Sequence, residues 1–298
     1  MGFVLSVFYF LVAYLGTTTV FGVLATEIHT EVILAALVAL VSVPALMKSY
    51  LLKTPQSLAL VGLAIAVLLS ILIGLHWPGG AVQAFLSFIP SAYAYYLVCL
   101  HFNSRVRLRI LVVMLLFVCL FVICHGAIDL AQVGSPGGAA PTTGPASAEM
   151  AHWSMAHPYT LAMQNDKGET FYRLKGRGEI SDPNDFAQLI VCVIPLMFFL
   201  WRQKKKFKNT VLVLLPVCVL LYGLFLTHSR GGLLALMVVA VLAARRRIGT
   251  LPSLLLGGGL FFAAMALNFT GGREISIESG SGRTGLWGES LELLKTHP

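Results

Sequence analysis

The sequence predicts an all-α protein, a polytopic transmembrane helical bundle. Three observations lead there. Of 298 residues, 57% are hydrophobic and only 11% are charged, too little polar surface for a soluble domain of this length. Mean hydropathy is +0.82. The apolar stretches run far longer than barrel strands and lack strand alternation. In a bilayer only helices and closed barrels satisfy every backbone N–H and C=O.

Nine apolar spans are predicted, at roughly 3–24, 31–47, 56–75, 82–102, 110–128, 186–201, 210–227, 231–244 and 251–268. A spanning helix needs about 20 residues at 1.5 Å each, so the sixth and eighth are short. Basic residues set the orientation. The loops after the even-numbered spans hold Lys48 and Lys53; Arg105, Arg107 and Arg109; Arg202, Lys204, Lys205, Lys206 and Lys208; and Arg245, Arg246 and Arg247, thirteen of the 21 basic residues. None of the 13 acidic residues falls there. Those loops, and the N-terminus with them, are expected in the cytoplasm. The net charge of +8 is then a topology signal facing anionic membrane lipid, not a nucleic-acid footprint. The five cysteines lie inside apolar segments without metal-ligand spacing. Met1 opens directly into Gly2-Phe3-Val4-Leu5, with no basic region of a signal peptide.

This pattern divides the chain into a five-span part (1–128), an outer loop (129–185), a four-span part (186–270) and the start of a second outer loop (271–298). The first outer loop opens on a Gly/Pro/Ala/Thr-rich run, Gly134 to Ala148, which reads as coil. Its second half, with Trp153, Phe171, Tyr172, Arg173, Lys175 and Arg177, is a candidate ordered element. The last stretch carries Leu286, Trp287, Leu291, Leu293 and Leu294, the pattern of a short interfacial helix. It stops at His297-Pro298 without a helix stop and reads as a cut inside a larger loop.

The candidate chemistry is on the outer side. Thr227-His228-Ser229-Arg230-Gly231-Gly232 forms the turn between the seventh and eighth spans. From Gly231 to Ala244 is 14 residues, about 21 Å of helix against a hydrocarbon core of about 30 Å. Arg230 is therefore expected beneath the outer boundary, where an arginine costs at least about 2.5 kcal/mol and faces a cavity or partner. Its guanidinium fork suits phosphate or carboxylate, and Gly231-Gly232 allow close backbone approach. A snorkelling arginine at a tight turn fits the same residues. The second cluster is Gly178-Glu179-Ile180-Ser181-Asp182-Pro183-Asn184-Asp185. Asp182 suits an N-cap, Pro183 the first helical position and Asp185 the N3 position of a capping box. The following span is short, so this helix start also offers a sunken anion site, or carboxylates that orient Arg230 or a substrate hydroxyl. The third is Ser281-Gly282-Arg283, followed by Leu286-Trp287, where Arg283 alone is an ordinary surface arginine. His76, His125, His152 and His157 match no metal spacing, and neither a phosphate-binding loop nor a dinucleotide fingerprint is present.

Together these stretches resemble the O-antigen ligase and O-antigen polymerase family of bacterial envelope glycosyltransferases. The run Gly178 to Gln188 is similar to its "DPND-hydrophobic-AQ" helix start, Ser229-Arg230-Gly231-Gly232 to its "SRGG" turn, and Ser281 to Pro298 to the segment opening its large periplasmic loop. The resemblance covers roughly residues 178–298; the first half is similar only in hydropathy. It implies transfer of a glycan from undecaprenyl diphosphate to a glycan or lipid acceptor such as lipid A-core, on the periplasmic face of the bacterial inner membrane. It implies neither nucleotide nor metal cofactor. Arg230 and Arg283 would neutralise the diphosphate, with Asp182, Asn184, Asp185, Ser229, Gly231 and Trp287 around the substrate. The family's base, a histidine beyond the His-Pro motif, would fall after Pro298. A transporter or channel for a small anion is the rival reading, although no internal repeat supports it. A non-catalytic envelope scaffold has no positive feature in its favour.

Overall fold

The computed structural model describes residues 1–22, 30–74, 76–135, 138–141, 148–164, 170–202, 204–266 and 281–296. The chain is built of helices: α1 (Gly2–Leu15), α2 (Thr17–Phe21), α3 (Thr30–Lys48), α4 (Pro55–Gly74, its last turn π-helical), α5 (Pro78–His101), α6 (Arg105–Val133), α7 (Ala148–Ala156), α8 (Pro183–Met197), α9 (Lys206–Leu226), α10 (Arg230–Ile248), α11 (Thr250–Ala266) and α12 (Ser281–Thr296). Among the described residues, six helices are long and apolar enough to cross a membrane: α3, α4, α5, α6, α8 with its following 3₁₀ turn, and α9. The shorter apolar helices are α1 and Thr250–Leu260 of α11.

Two predicted boundaries are corrected. The first span breaks at Gly16, whose φ of 81° is a left-handed conformation that ends α1 after 14 residues. Gly178, with φ 55°, faces this break, and a Cβ there would collide with the Ala13 carbonyl. The fifth span runs on to Val133, so Asp129 lies inside α6 rather than opening the outer loop. The outer loop also holds one antiparallel hairpin, β1 (Thr160–Gln164) with β2 (Thr170–Leu174), in the register Thr160 to Leu174 and Leu161 to Arg173. This gives order to the stretch whose aromatic and basic residues suggested it.

The chain divides into two compact units, each drawn from separate stretches of sequence. One comprises Met1–Phe10, Glu27–Leu111 and Ser281–Pro298, the other Leu11–Thr26 and Val112–Gly280. In the first, Tyr93 donates to the Ala35 carbonyl at 2.8 Å, tying α5 to α3, and Ser42 meets His101 Nε2 at 2.8 Å. In low-dielectric surroundings such bonds satisfy polar groups that would otherwise be costly. Apolar side chains cover the outside of this unit, with Val32, Leu40, Leu58 and Ile73 all exposed, as lipid-facing helices require.

The second unit has the denser core: Val118, Val122 and Ile123 of α6, Phe186, Ile190 and Val193 of α8, and Leu220 and Leu224 of α9 are buried together. Small residues set the spacing between these helices. A Cβ on Gly223 would collide with Ile123, and one on Gly126 with the buried Leu174 of β2. Gly232 lies against α8, where a Cβ would come 2.7 Å from Ala187 Cβ and 3.0 Å from Leu224 Cδ1. Around Gly231 nothing lies within 4 Å. Gly232→Ala should therefore destabilise the protein by about 1–3 kcal/mol through overpacking, and Gly231→Ala should not. Thermal unfolding of the two purified variants checks this contrast; equal midpoints would refute it.

Candidate functional site

The site grows from two helix starts that face each other in the second unit. At the first, Asp182 takes the N-cap position with its carboxylate accepting the Asn184 N–H at 2.6 Å, and Pro183 opens α8. This is the cap that the sequence predicts. Asp185 is exposed in the first turn of α8. At the second start, Ser229 caps α10: its Oγ accepts the Gly232 N–H at 3.2 Å. The turn before it holds His228 at φ 47° and seats Thr227, fully buried, with its hydroxyl on the Leu224 carbonyl at 2.7 Å.

Asn184 joins the two starts. Its Oδ1 accepts the Ser229 hydroxyl at 3.0 Å. The same oxygen accepts Arg173 Nη2, also at 3.0 Å. Arg173 is 4% exposed, and its Nε donates to the Thr227 carbonyl at 2.8 Å. A third contact runs from Nη1 to Met163 Sδ at 3.6 Å. A guanidinium presents its donors in a fixed fork, so Arg173 fixes the hairpin, the α8 start and the α10 turn relative to one another. Arg230 follows as the first residue of α10 and is half-buried.

More positive charge lies on the same outer segment. Arg177 donates to Thr18 Oγ1 at 2.7 Å and stands over the Tyr159 ring, 5.5 Å from its centroid. Burial pushes the Lys175 ammonium below its ordinary value, and the Arg177 guanidinium pushes it the same way; Asp129 acts in the opposite sense. Among the described residues neither Lys175 nor Arg177 forms an ion pair. The Asp129 carboxylate is occupied by His157, the Tyr159 N–H and the Thr160 hydroxyl. Cations half-withdrawn from water without a carboxylate partner favour an incoming anion.

Of the residues expected at the site, the structure brings Asn184, Ser229 and Arg230 together and gives Asp182 to its own helix end. Gly231 is exposed at the α10 start, while Gly232 serves helix packing. Arg283 and Trp287 belong to α12, but their side chains, like His297-Pro298 and the stretch 267–280, lie outside the described residues. Sequence reasoning noted Arg173 only as part of an ordered stretch. Its role depends on a hairpin register that pattern alone does not supply. No protein-family model, curated protein or solved structure matches the chain.

Proposed function

We propose that the chain transfers a glycan from an undecaprenyl-diphosphate carrier to a glycan or lipid acceptor at the periplasmic face of a bacterial inner membrane, as an O-antigen ligase or polymerase. One observation carries the reading. The Asn184–Ser229 hydrogen bond joins the two runs that resemble that family's motifs, so residues far apart in sequence form one local arrangement. Arg230 stands beside it at a helix N-terminus, where both the guanidinium and the free backbone N–H groups favour a diphosphate. In the reaction the acceptor oxygen bonds to the sugar's anomeric carbon, and the bond from that carbon to the diphosphate oxygen breaks. The diphosphate leaves with the electron pair, and Arg230 neutralises the charge that develops.

The test is direct. The purified full-length protein, given a synthetic undecaprenyl-diphosphate-linked glycan and an acceptor glycan, should form the joined product and release undecaprenyl diphosphate. Flux of a small anion through proteoliposomes, with no product formed, would overturn the proposal in favour of a transporter.

Nine spans with a cytoplasmic N-terminus belong to the same proposal, α1, α10 and α11 being added to the six long helices. The thirteen basic residues on one side support it. In a cysteine-free background, Cys placed at exposed Tyr50 should resist an impermeant thiol reagent in intact cells, and Cys at exposed Met155 should react. The reverse pattern would invert the orientation.

A further inference from the structure

We propose that Thr18, Lys175 and Arg177 form a binding site for a phosphate monoester, an inference independent of the transferase reading above. The chain break at Gly16 and the run that follows β2 build it together. Past the break, α2 comes up against that run: a Cβ on Gly16 would lie 3.7 Å from Arg177 Cβ and 3.8 Å from Arg177 Nε. Arg177 Nη2 donates to Thr18 Oγ1 at 2.7 Å, and its guanidinium stands over the Tyr159 ring. Lys175 is fixed on the same tyrosine, its backbone N–H donating to the Tyr159 carbonyl at 2.9 Å. Tyr159 is buried in the core of its unit, so both cations are mounted on a firm floor.

The arrangement holds more positive charge than it neutralises. Lys175 and Arg177 are both half-buried, and among the described residues neither forms an ion pair. Asp129 is 5% exposed and already committed to His157, Tyr159 and Thr160, and Glu179, the next acid along the chain, is exposed. Burial and the neighbouring guanidinium both act against the Lys175 charge, and an anion between the two cations relieves both costs. The donors select which anion. Among the described residues only Nη2 of the Arg177 fork is engaged. The Lys175 ammonium is a compact charge with its own donors. Thr18 Oγ1 accepts from Arg177, so its O–H is left to donate. A carboxylate would occupy the fork and cancel one charge. A phosphate monoester carries about −1.5 to −2 charges and three acceptor oxygens near neutral pH, which matches two cations and three donor groups. A lipid headgroup and a solute can both present that chemistry.

Protection of Lys175 from an amine-reactive reagent tests this in the purified full-length protein, read by mass spectrometry with exposed Lys206 as the reference in the same sample. One arm uses uncharged detergent and inorganic phosphate, with acetate at equal ionic strength as the control. The other uses lipid nanodiscs containing phosphatidic acid, a monoester, or phosphatidylglycerol, a diester. Phosphate or phosphatidic acid should protect Lys175 and leave Lys206 unchanged. Protection in the first arm alone assigns the site to a solute, in the second alone to a lipid headgroup, and in both to the phosphate group whatever carries it. Arg177→Gln keeps an N–H for Thr18 but loses the charge, and should raise the concentration needed for protection at least about ten-fold, the scale of one lost charge-assisted hydrogen bond. Thr18→Val removes the third donor and should weaken protection less. No protection in either arm overturns the site, as does protection by acetate equal to that by phosphate. Phosphatidylglycerol as effective as phosphatidic acid overturns the monoester assignment. Unchanged protection in both variants, each with the unsubstituted protein's thermal midpoint, removes Arg177 and Thr18 and overturns the proposal.

Discussion

Arg173→Ala should lower the thermal midpoint of the purified protein by roughly 5–10 °C and abolish glycan transfer with it. The guanidinium is 4% exposed and donates to Thr227 O and Asn184 Oδ1. Burying an arginine is itself unfavourable, so its net contribution is smaller than the sum of its bonds. Truncation is a different matter, because it takes the donor from the buried Thr227 carbonyl and leaves Asn184 Oδ1 with only the Ser229 hydroxyl. A stranded buried carbonyl costs about 1–3 kcal/mol, and the lost charge-assisted bond to Asn184 and the lost packing add to that. A total near 3 kcal/mol corresponds to a shift of this size for a chain longer than 200 residues. Arg173→Lys should recover little, since one ammonium on a flexible stem cannot reach both acceptors in the fork geometry. An unchanged midpoint in Arg173→Ala would remove Arg173 from its role as the clamp between the two helix starts.

How far such a site is legible in sequence depends on the range of the forces that build it. The α8 start was readable because capping is local: Asp182 followed by Pro183 specifies a helix start within three residues, and Asp182 does accept the Asn184 N–H. The Ser229 cap uses the same chemistry, but the motif drew attention to its arginine and glycines instead. Composition and apolar runs announced membrane-length helices for the same local reason. What pattern could not supply was tertiary. Arg173 looked like one of several outer cations until the β1–β2 register turned it toward Thr227 and Asn184. Thr170, Phe171 and Tyr172 carried a β signal, yet five residues without an alternating apolar face do not establish a strand. The glycines misled in part: Gly232 looked like room for a ligand and is room for Ala187. Gly16 ended a span that hydropathy alone ran through, because hydropathy has no term for φ.

Arg230→Ala should have the opposite signature to Arg173→Ala, with function lost and stability kept. Helix α10 runs from Arg230 to Ile248, and its basic anchor begins at Arg245. Fifteen residues at 1.5 Å put Arg230 about 22 Å from that anchor, well short of a hydrocarbon core of about 30 Å. In the proposed orientation the guanidinium thus sits below the outer membrane surface at a cost of at least about 2.5 kcal/mol. Alanine removes that cost, so insertion and thermal midpoint should hold or improve. Transfer should fall about 10²–10³-fold, the usual consequence of deleting one preorganised charge from a transition state. Arg230→Lys keeps the charge but not the bidentate fork, and should lie between alanine and the native residue. The single snorkelling arginine that fits the same sequence predicts something else: full transfer in all three proteins. Transfer rates and unfolding midpoints measured side by side separate the two cases, and unimpaired transfer by Arg230→Ala would remove the central residue from the proposed mechanism.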